Sequence, residues 1–251
     1  MKSSRRRLLL ILFLPIWLGL VFVAYNLVHP PVGRLRDHNP ELTSFQEHRL
    51  EEWMREGSSR HITSRWRPLS RISPYLAQAV IIAEDDTFWE HGGFDWKAMR
   101  EAMEKNLKKG TLRHGGSTIS QQLAKNLFLS PSRSLARKLR EAILTWRLER
   151  ALTKKRILEI YLNVVEWGEG VFGAEAAAGH YYGKSAARLS PQEAARLAAI
   201  LPMPRRYTRR SFHGSRYLDG RVEDIVSVMR KRGLTPQEPP PQINPFLGIA
   251  F

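Results

Sequence analysis

The 251-residue chain contains no cysteine. Disulfides, thiolate metal sites and cysteine nucleophiles are thereby excluded, while the compartment stays open. Acidic residues are also short: 24 Asp plus Glu stand against 40 Lys plus Arg, a formal charge of +16. That excess points to an anionic partner (nucleic acid, an acidic membrane surface or a phosphorylated substrate) without choosing among them. Internal repeats are absent and alternating strand-like segments are scarce, so a mainly α class is expected. The length leaves room for one domain of roughly 200 residues and an attachment.

Long uncharged runs are missing with one exception, Leu8 to Val28, which is long enough to span a bilayer. Pro15 and Asn26 are its only blemishes. Lys2, Arg5, Arg6 and Arg7 precede it, which places a short tail (1–7) in the cytoplasm and the rest of the chain outside. A cleaved signal peptide is the rival reading. The run is longer than a usual signal core, and Phe22 spoils a cleavage site around Ala24. A retained anchor over 8–28 is therefore expected, then a Pro-rich charged linker over 29–40. The outer part remains cationic beside an anionic membrane, where nucleic acid is not the expected partner.

The stretch from Ser73 to Phe94 organises the remainder. Ser73-Pro74 reads as a helix start, with a capping hydroxyl followed by a residue whose missing N–H costs nothing there. Leu76 to Ala83 is apolar apart from Gln78 and should be buried. The run ends in Glu84, Asp85 and Asp86. Apolar neighbours and the negative end of a helix dipole both disfavour a charged carboxylate, so Glu84 is expected to hold its proton more tightly than usual. Such a group suits general acid–base chemistry. Three acids that merely solvate a helix end would read the same on this stretch alone.

Further on, His114 to Leu129 reads H-G-G-S-T-I-S-Q-Q-L-A-K-N-L-F-L. Gly115 and Gly116 permit a tight turn, Thr118 with Gln121 forms a capping-box pattern, and Ile119, Leu123 and Leu127 should face the core. Ser117, Gln121 and Lys125 recur on another ridge, where free N–H groups, a hydroxyl and an ammonium could hold an anion. An ordinary capped amphipathic helix fits equally well. A basic helix from Ser132 follows, with Leu135, Leu139, Ala142, Ile143 and Trp146 expected as its buried stripe. Arg133, Arg137 and Glu141 lie on one line with Lys138 beside them, which could equally be a solvated charge stripe.

Helices are also expected over Glu41 to Glu56, Trp96 to Lys108, from Thr153, over Ala174 to Tyr182, from Ser190 to Leu201 and over Arg221 to Arg232. His61 to Ile72 reads as an extended connection, Trp167 to Gly173 as a turn and Arg205 to Gly214 as a basic loop. The Pro-rich stretch from Thr235 to Phe251 reads as an extended tail.

Four blocks stand in order: Glu84-Asp85-x-x-Phe88-x-x-His91-x-Gly93, Gly115-Gly116-Ser117-Thr118-Ile119-Ser120-Gln121-Gln122-Leu123-Ala124-Lys125-Asn126, Arg137-Lys138-x-x-Glu141 and Lys155-Arg156-Ile157-Leu158-Glu159-x-Tyr161-Leu162-Asn163. Together they resemble the signatures of the peptidoglycan glycosyltransferases, glycosyltransferase family 51. The bifunctional members add a transpeptidase domain with Ser-x-x-Lys and Lys-Thr-Gly, neither of which occurs here. The chain therefore resembles the monofunctional members.

The resemblance implies a mainly α, lysozyme-like glycosyltransferase domain over 41–234, behind one transmembrane helix in the bacterial inner membrane and on its periplasmic side. It implies polymerisation of lipid II onto a lipid-linked glycan strand, with Glu84 as base and Glu141 acting at the leaving pyrophosphate. Lys125, Arg133 and Lys138 would offset the pyrophosphate charge, and Ser117 and Gln121 would line the same cleft. Asp85, Phe88, His91, Gly115, Gly116 and Arg137 would support the site. A divalent cation, Mg2+ or Mn2+, at Glu141 is left open, no organic cofactor is implied, and other cell-wall synthesis or division proteins are candidate partners. Two rival readings stand beside this one. A lytic murein transglycosylase would need a single acid and no pyrophosphate clamp. A non-enzymatic basic membrane module rests on charge alone.

Overall fold

The computed structural model describes residues 2–110, 115–132 and 134–235. Arg133, His114 and all of the Pro-rich tail after Thr235 fall outside the described residues. The element order begins with α1 (Lys2–Val28), α2 (Ser44–Arg55), β1 (Thr63–Ser64), α3 (Pro74–Glu84), α4 (Trp96–Lys109), α5 (Ile119–Phe128), α6 (Leu135–Ala151) and α7 (Lys154–Val164). It continues with β2 (Glu166–Gly168), β3 (Val171–Phe172), α8 (Ala174–Tyr182), α9 (Pro191–Ile200), α10 (Arg209–His213) and α11 (Arg216–Lys231). The fold is mainly α, with one small sheet among the described residues, of order β1-β3-β2. Two compact units divide it: Met1–Thr63 with Thr87–Val165, and Ser64–Asp86 with Glu166–Phe251.

In the first unit α5 is the central element and packs on α2, α6 and α7. Its apolar ridge Ile119, Leu123 and Leu127 is buried, joined by Trp53, Leu144, Leu148, Ile157 and Ile160. Local chemistry sets the helix starts. The Thr43, Thr118 and Thr153 side chains each accept a hydrogen bond from the backbone N–H three residues on, and each such cap is worth about 1 kcal/mol.

Helix α1 and the 3-10 turn after it (Val32–Arg36) lie on α6. The stretch Phe13–Arg36, with mean hydropathy 1.5, is long and apolar enough to cross a membrane. Its residues Phe13, Leu14, Ile16, Trp17, Leu18 and Leu20 are exposed.

The expected buried stripe of α6 is wrong. Leu135 is 90% exposed, Leu139 49% and Trp146 44%, while the buried face carries Glu141, Leu144, Thr145 and Leu148. A carboxylate can occupy a buried face when cations pair with it, and Arg137 and Lys138 do so for Glu141. The apolar pattern expected over Glu41 to Glu56 likewise faces out at its ends, Leu42 before α2 at 46% exposure and Met54 at 71%.

The second unit is built on α3, α9 and α11, which pack on one another. Ala194, Ala195, Ala198 and Ala199 on α9 are buried, and such small side chains let neighbouring helices approach closely. Ser73 does precede α3, but its hydroxyl makes no cap; it donates to Leu189 O at 2.9 Å, and its N–H to Ala186 O at 3.0 Å. Pro74 at the first helical position leaves one fewer donor to cap, so the hydroxyl is free to tie the helix start to the rest of the unit.

The expected turn at Trp167 is instead an antiparallel hairpin, with Glu166 opposite Phe172 and Gly168 opposite Val171. Trp167 and Phe172 are fully buried and anchor it. The basic loop near Arg209 contains a capped helical turn, α10, held by buried Phe212. The final helix begins at Arg216, not Arg221, because Ser215 accepts from Leu218 N and caps it there.

Glu175 staples α8 to the segment beyond it. It accepts from Arg67 Nη2 at 2.8 Å, Ser185 Oγ at 3.0 Å and Ala186 N at 2.9 Å. Burial pushes its pKa up, but these donors outweigh that and hold it below the ordinary 4.5. A depressed folded-state pKa stabilises the fold above the unfolded value, and the contribution is lost as pH falls through the folded one. Glu175→Gln should therefore cost about 2 kcal/mol at neutral pH, with the gap to the parent closing below pH 4.5. Urea titrations of both proteins at pH 7 and pH 3 check this, and a gap independent of pH would refute it.

Candidate functional site

The residues after Asp86 form a braced turn in the first unit. Phe88 is fully buried, and Lys154 Nζ lies 4.5 Å from its ring centroid. His91 Nδ1 accepts from Gly93 N at 3.1 Å. Thr87 Oγ1 donates to Asp95 Oδ2 at 2.5 Å, and Asp95 caps α4 by accepting from Ala98 N at 2.8 Å. These donors hold the Asp95 carboxyl below its usual range, the Ala98 N–H contributing most.

The second block docks onto that turn. Thr118 Oγ1 donates to Gly93 O at 2.7 Å while accepting from Gln121 N at 3.2 Å. Thr118 N in turn donates to Gln121 Oε1 at 3.0 Å, closing the capping box. Gln121 thus spends its oxygen on the cap. Gly116 sits so close to α4 that a Cβ would lie 2.9 Å from Met99 Cα. Gly116→Ala is expected to force α4 outward and cost about 1–3 kcal/mol, read by chemical denaturation. An unchanged midpoint would show that the seam is loose.

Across that seam lies a cavity of about 550 Å³. Met99, Ala102, Met103 and Leu107 of α4 supply an apolar wall, and Ser117, Gln121 and Lys138 supply polar groups. The structure therefore brings three of the expected ligand residues onto one surface. Lys125, one turn beyond Gln121, is not on that wall; its ammonium lies 5.5 Å from the Phe45 ring centroid. Arg133 is outside the described residues.

The third block starts where Ser134 caps α6, accepting from Arg137 N at 3.1 Å. Glu141 is 3% exposed. Its Oε2 accepts from Arg137 Nη1 at 2.7 Å and its Oε1 from Lys138 Nζ. Lys138 is shared between this pair and the cavity, so its charge is held at the rim. Among the described residues, no group of three or more His, Asp or Glu gathers to hold a metal. A guanidinium and an ammonium already occupy the two oxygens of Glu141.

The fourth block lies on α7, which packs on α5. Tyr161 OH donates to Gln122 Oε1 at 3.0 Å, and Asn163 Nδ2 to Glu159 O at 2.8 Å.

In the second unit Glu84 is the last residue of α3 and is half-buried, and Asp85 is its buried C-cap, with Asp85 N donating to Ile81 O at 2.8 Å. Asp86 Oδ2 accepts from Arg232 Nη2 at 2.8 Å. Helix α3 carries no basic residue in its last turn, so nothing on the helix itself offsets the dipole near Glu84.

Sequence reasoning missed the α4 wall and Glu149, which accepts from Lys154 Nζ at 2.7 Å and from Ser120 Oγ. The spacing of Met99, Met103 and Leu107 carried the signal for the wall, but it reads equally as a core face.

Comparison with known proteins follows the same blocks. The transglycosylase family profile matches residues 50–230. A biosynthetic peptidoglycan transglycosylase of Janthinobacterium sp. (strain Marseille) is 47% identical over 234 residues, 93% of this chain and 100% of that protein. One from Herminiimonas arsenicoxydans is 48% identical over 229 residues, 91% of this chain and 97% of that protein. One from Azoarcus sp. (strain BH72) is 56% identical over 174 residues, 69% of this chain and 75% of that protein.

Proposed function

The chain belongs to the transglycosylase family, and from that premise we propose that it polymerises lipid II into glycan strands at a membrane surface. Its activity class is peptidoglycan glycosyl transfer, and its domain is the lysozyme-like transglycosylase fold. The observation that carries the finer reading is the two-sided cavity of the first unit. An apolar wall of Met99, Met103 and Leu107 stands opposite Ser117, Gln121 and Lys138. That lining suits a ligand with a lipid chain at one end and a pyrophosphate at the other.

In this reading Glu84 takes the proton from the 4-hydroxyl of the acceptor N-acetylglucosamine. The oxygen attacks the anomeric carbon of the lipid-linked strand, a β-1,4 bond forms with inversion, and the polyprenyl pyrophosphate departs. Lys138 and Arg137 meet the charge that develops on the leaving group, and prepositioned cations of this kind are the largest expected electrostatic contribution. Glu141 holds those two cations in place. Lys125, which lies off this wall beside Phe45, is given no part in holding the anion.

Anchoring fits the substrate. Helix α1 would hold the domain on the outer face of the bacterial inner membrane, beside the lipid-linked donor. Exposed Trp96, Met103 and Leu107 on α4 favour contact with the same lipid surface.

The test is incubation of the solubilised full chain with labelled lipid II, products being sized before and after muramidase. Muramidase-sensitive polymer supports the reading. Absence of polymer from folded protein, or release of anhydro-muropeptides from purified sacculi, would overturn it in favour of a lytic enzyme.

A further inference from the structure

The segment between the apolar helix and the domain is fastened by arginines, and one of them holds the end of the apolar helix itself. Arg147, one turn from the C-terminal end of α6, sends Nη1 to Asn26 O at 2.9 Å and Nη2 to Val28 O at 2.7 Å and Pro30 O at 2.6 Å. Asn26 and Val28 lie in the last turn of α1, where carbonyls lack intrahelical partners. The guanidinium therefore caps the helix and places a cation at the negative end of its dipole. Arg147 makes no ion pair among the described residues, so its charge is not spent elsewhere. Burial lowers its pKa, yet a guanidinium stays charged at neutral pH.

Three further observations locate the same joint. Asn26, the polar blemish of the apolar run, is 1% exposed. Its Nδ2 donates to Phe22 O at 2.8 Å, one turn back on the same helix. Val32 and Leu35 are buried in the 3-10 turn that packs on α6. Arg36 donates to Ala151 O, and Arg156 to Leu35 O at 2.8 Å and His38 O at 3.0 Å.

The other end of α6 carries Lys138, at the rim of the cavity. Lys138 and Arg147 are nine residues apart on one unbroken helix, about 13 Å along its axis. Whatever fixes α1 on α6 also fixes the height of the cavity above the bilayer.

We propose that Arg147 is a positioning residue for the polymerase reaction: by clamping the C-terminal carbonyls of α1 it makes the anchor a rigid strut that presents the α4–α5 cavity to membrane-embedded substrate. The clamp itself rests only on the geometry; its effect on reaction rests on the polymerase reading. A fork that serves three carbonyls needs a guanidinium, since a lysine ammonium cannot span them.

The chain has no cysteine, so Leu18→Cys with Arg150→Cys gives one clean pair for spin labels on α1 and α6. The full chain is reconstituted in phospholipid vesicles and the label-to-label distance distribution is measured for the parent, Arg147→Ala and Arg147→Lys. Narrow in the parent and broad in both variants is expected, with Lys failing because it keeps the charge and loses the fork. Polymerisation is then compared on vesicle-embedded lipid II and on a substrate with a shortened, water-soluble prenyl chain. Arg147→Ala should lose about tenfold or more on the embedded substrate and stay within about twofold on the soluble one. An unchanged distance distribution overturns the clamp. Broadening with equal loss, or with no loss, on the two substrates overturns the positioning role. A parent that makes no polymer sinks the polymerase reading, and the distance measurement then decides the clamp by itself.

Discussion

Glu84→Gln should lower glycan polymerisation by about 10²–10⁴-fold, the usual contribution of a positioned general base, while leaving the melting temperature within a degree or two of the parent. The reasoning runs from helix α3. Glu84 is its last residue, half-buried, on a helix whose preceding residues Leu76, Ala79, Val80 and Ile81 are buried and which bears no compensating cation in its last turn. Glutamine keeps the shape and the hydrogen-bonding capacity of the side chain and removes only its ability to accept a proton. The fold should barely notice. The measurement is turnover of labelled lipid II by the two proteins side by side, with thermal unfolding as the control for structure. Near-normal turnover would remove Glu84 from the mechanism.

Glu141→Ala is expected to behave differently, losing activity and about 3 kcal/mol of stability together. Glu141 is 3% exposed, with Arg137 Nη1 on one oxygen and Lys138 Nζ on the other. Deleting one partner of a buried pair leaves uncompensated charge and costs about 3–5 kcal/mol. The side chain of Lys138 is 46% exposed and can turn to solvent, which places the effect at the low end. Urea unfolding measures the stability loss. Arg137→Met with Glu141→Met should recover part of it, because both charges then leave the interior together. Activity should not return in that double variant, since Arg137 is gone and Lys138 has lost its anchor at the cavity rim. A double variant no more stable than Glu141→Ala would mean that the pair is not the source of the cost.

Much of the local architecture was legible because its causes are local. A hydroxyl three residues before a Gln or Glu caps a helix through local bonds, and Thr118 and Ser190 close capping boxes as their sequences demand, while a box at Thr43 starts α2 at Ser44, later than the expected Glu41. The same holds for Gly110, whose left-handed conformation ends α4 as a glycine allows. The buried ridge of α5 followed from its spacing, since Ile119, Leu123 and Leu127 have no polar competitor on that face.

The apolar pattern of α6 failed for an equally physical reason. Burial is decided by the partner surface, and a salt-bridged Glu141 could take the inside while Leu135 and Trp146 were left out. By itself, then, the sequence determined the helical class, most helix starts, an apolar N-terminal helix and the order of the four blocks. Only the tertiary structure decided the contacts between residues far apart in the chain. It sent the Ser73 hydroxyl to Leu189, set the α4 wall opposite Ser117 and Lys138, and brought Arg147 to the carbonyls at the end of α1. Those contacts span separations over which sequence carries periodicity but no address, because a donor that must be satisfied does not name its acceptor.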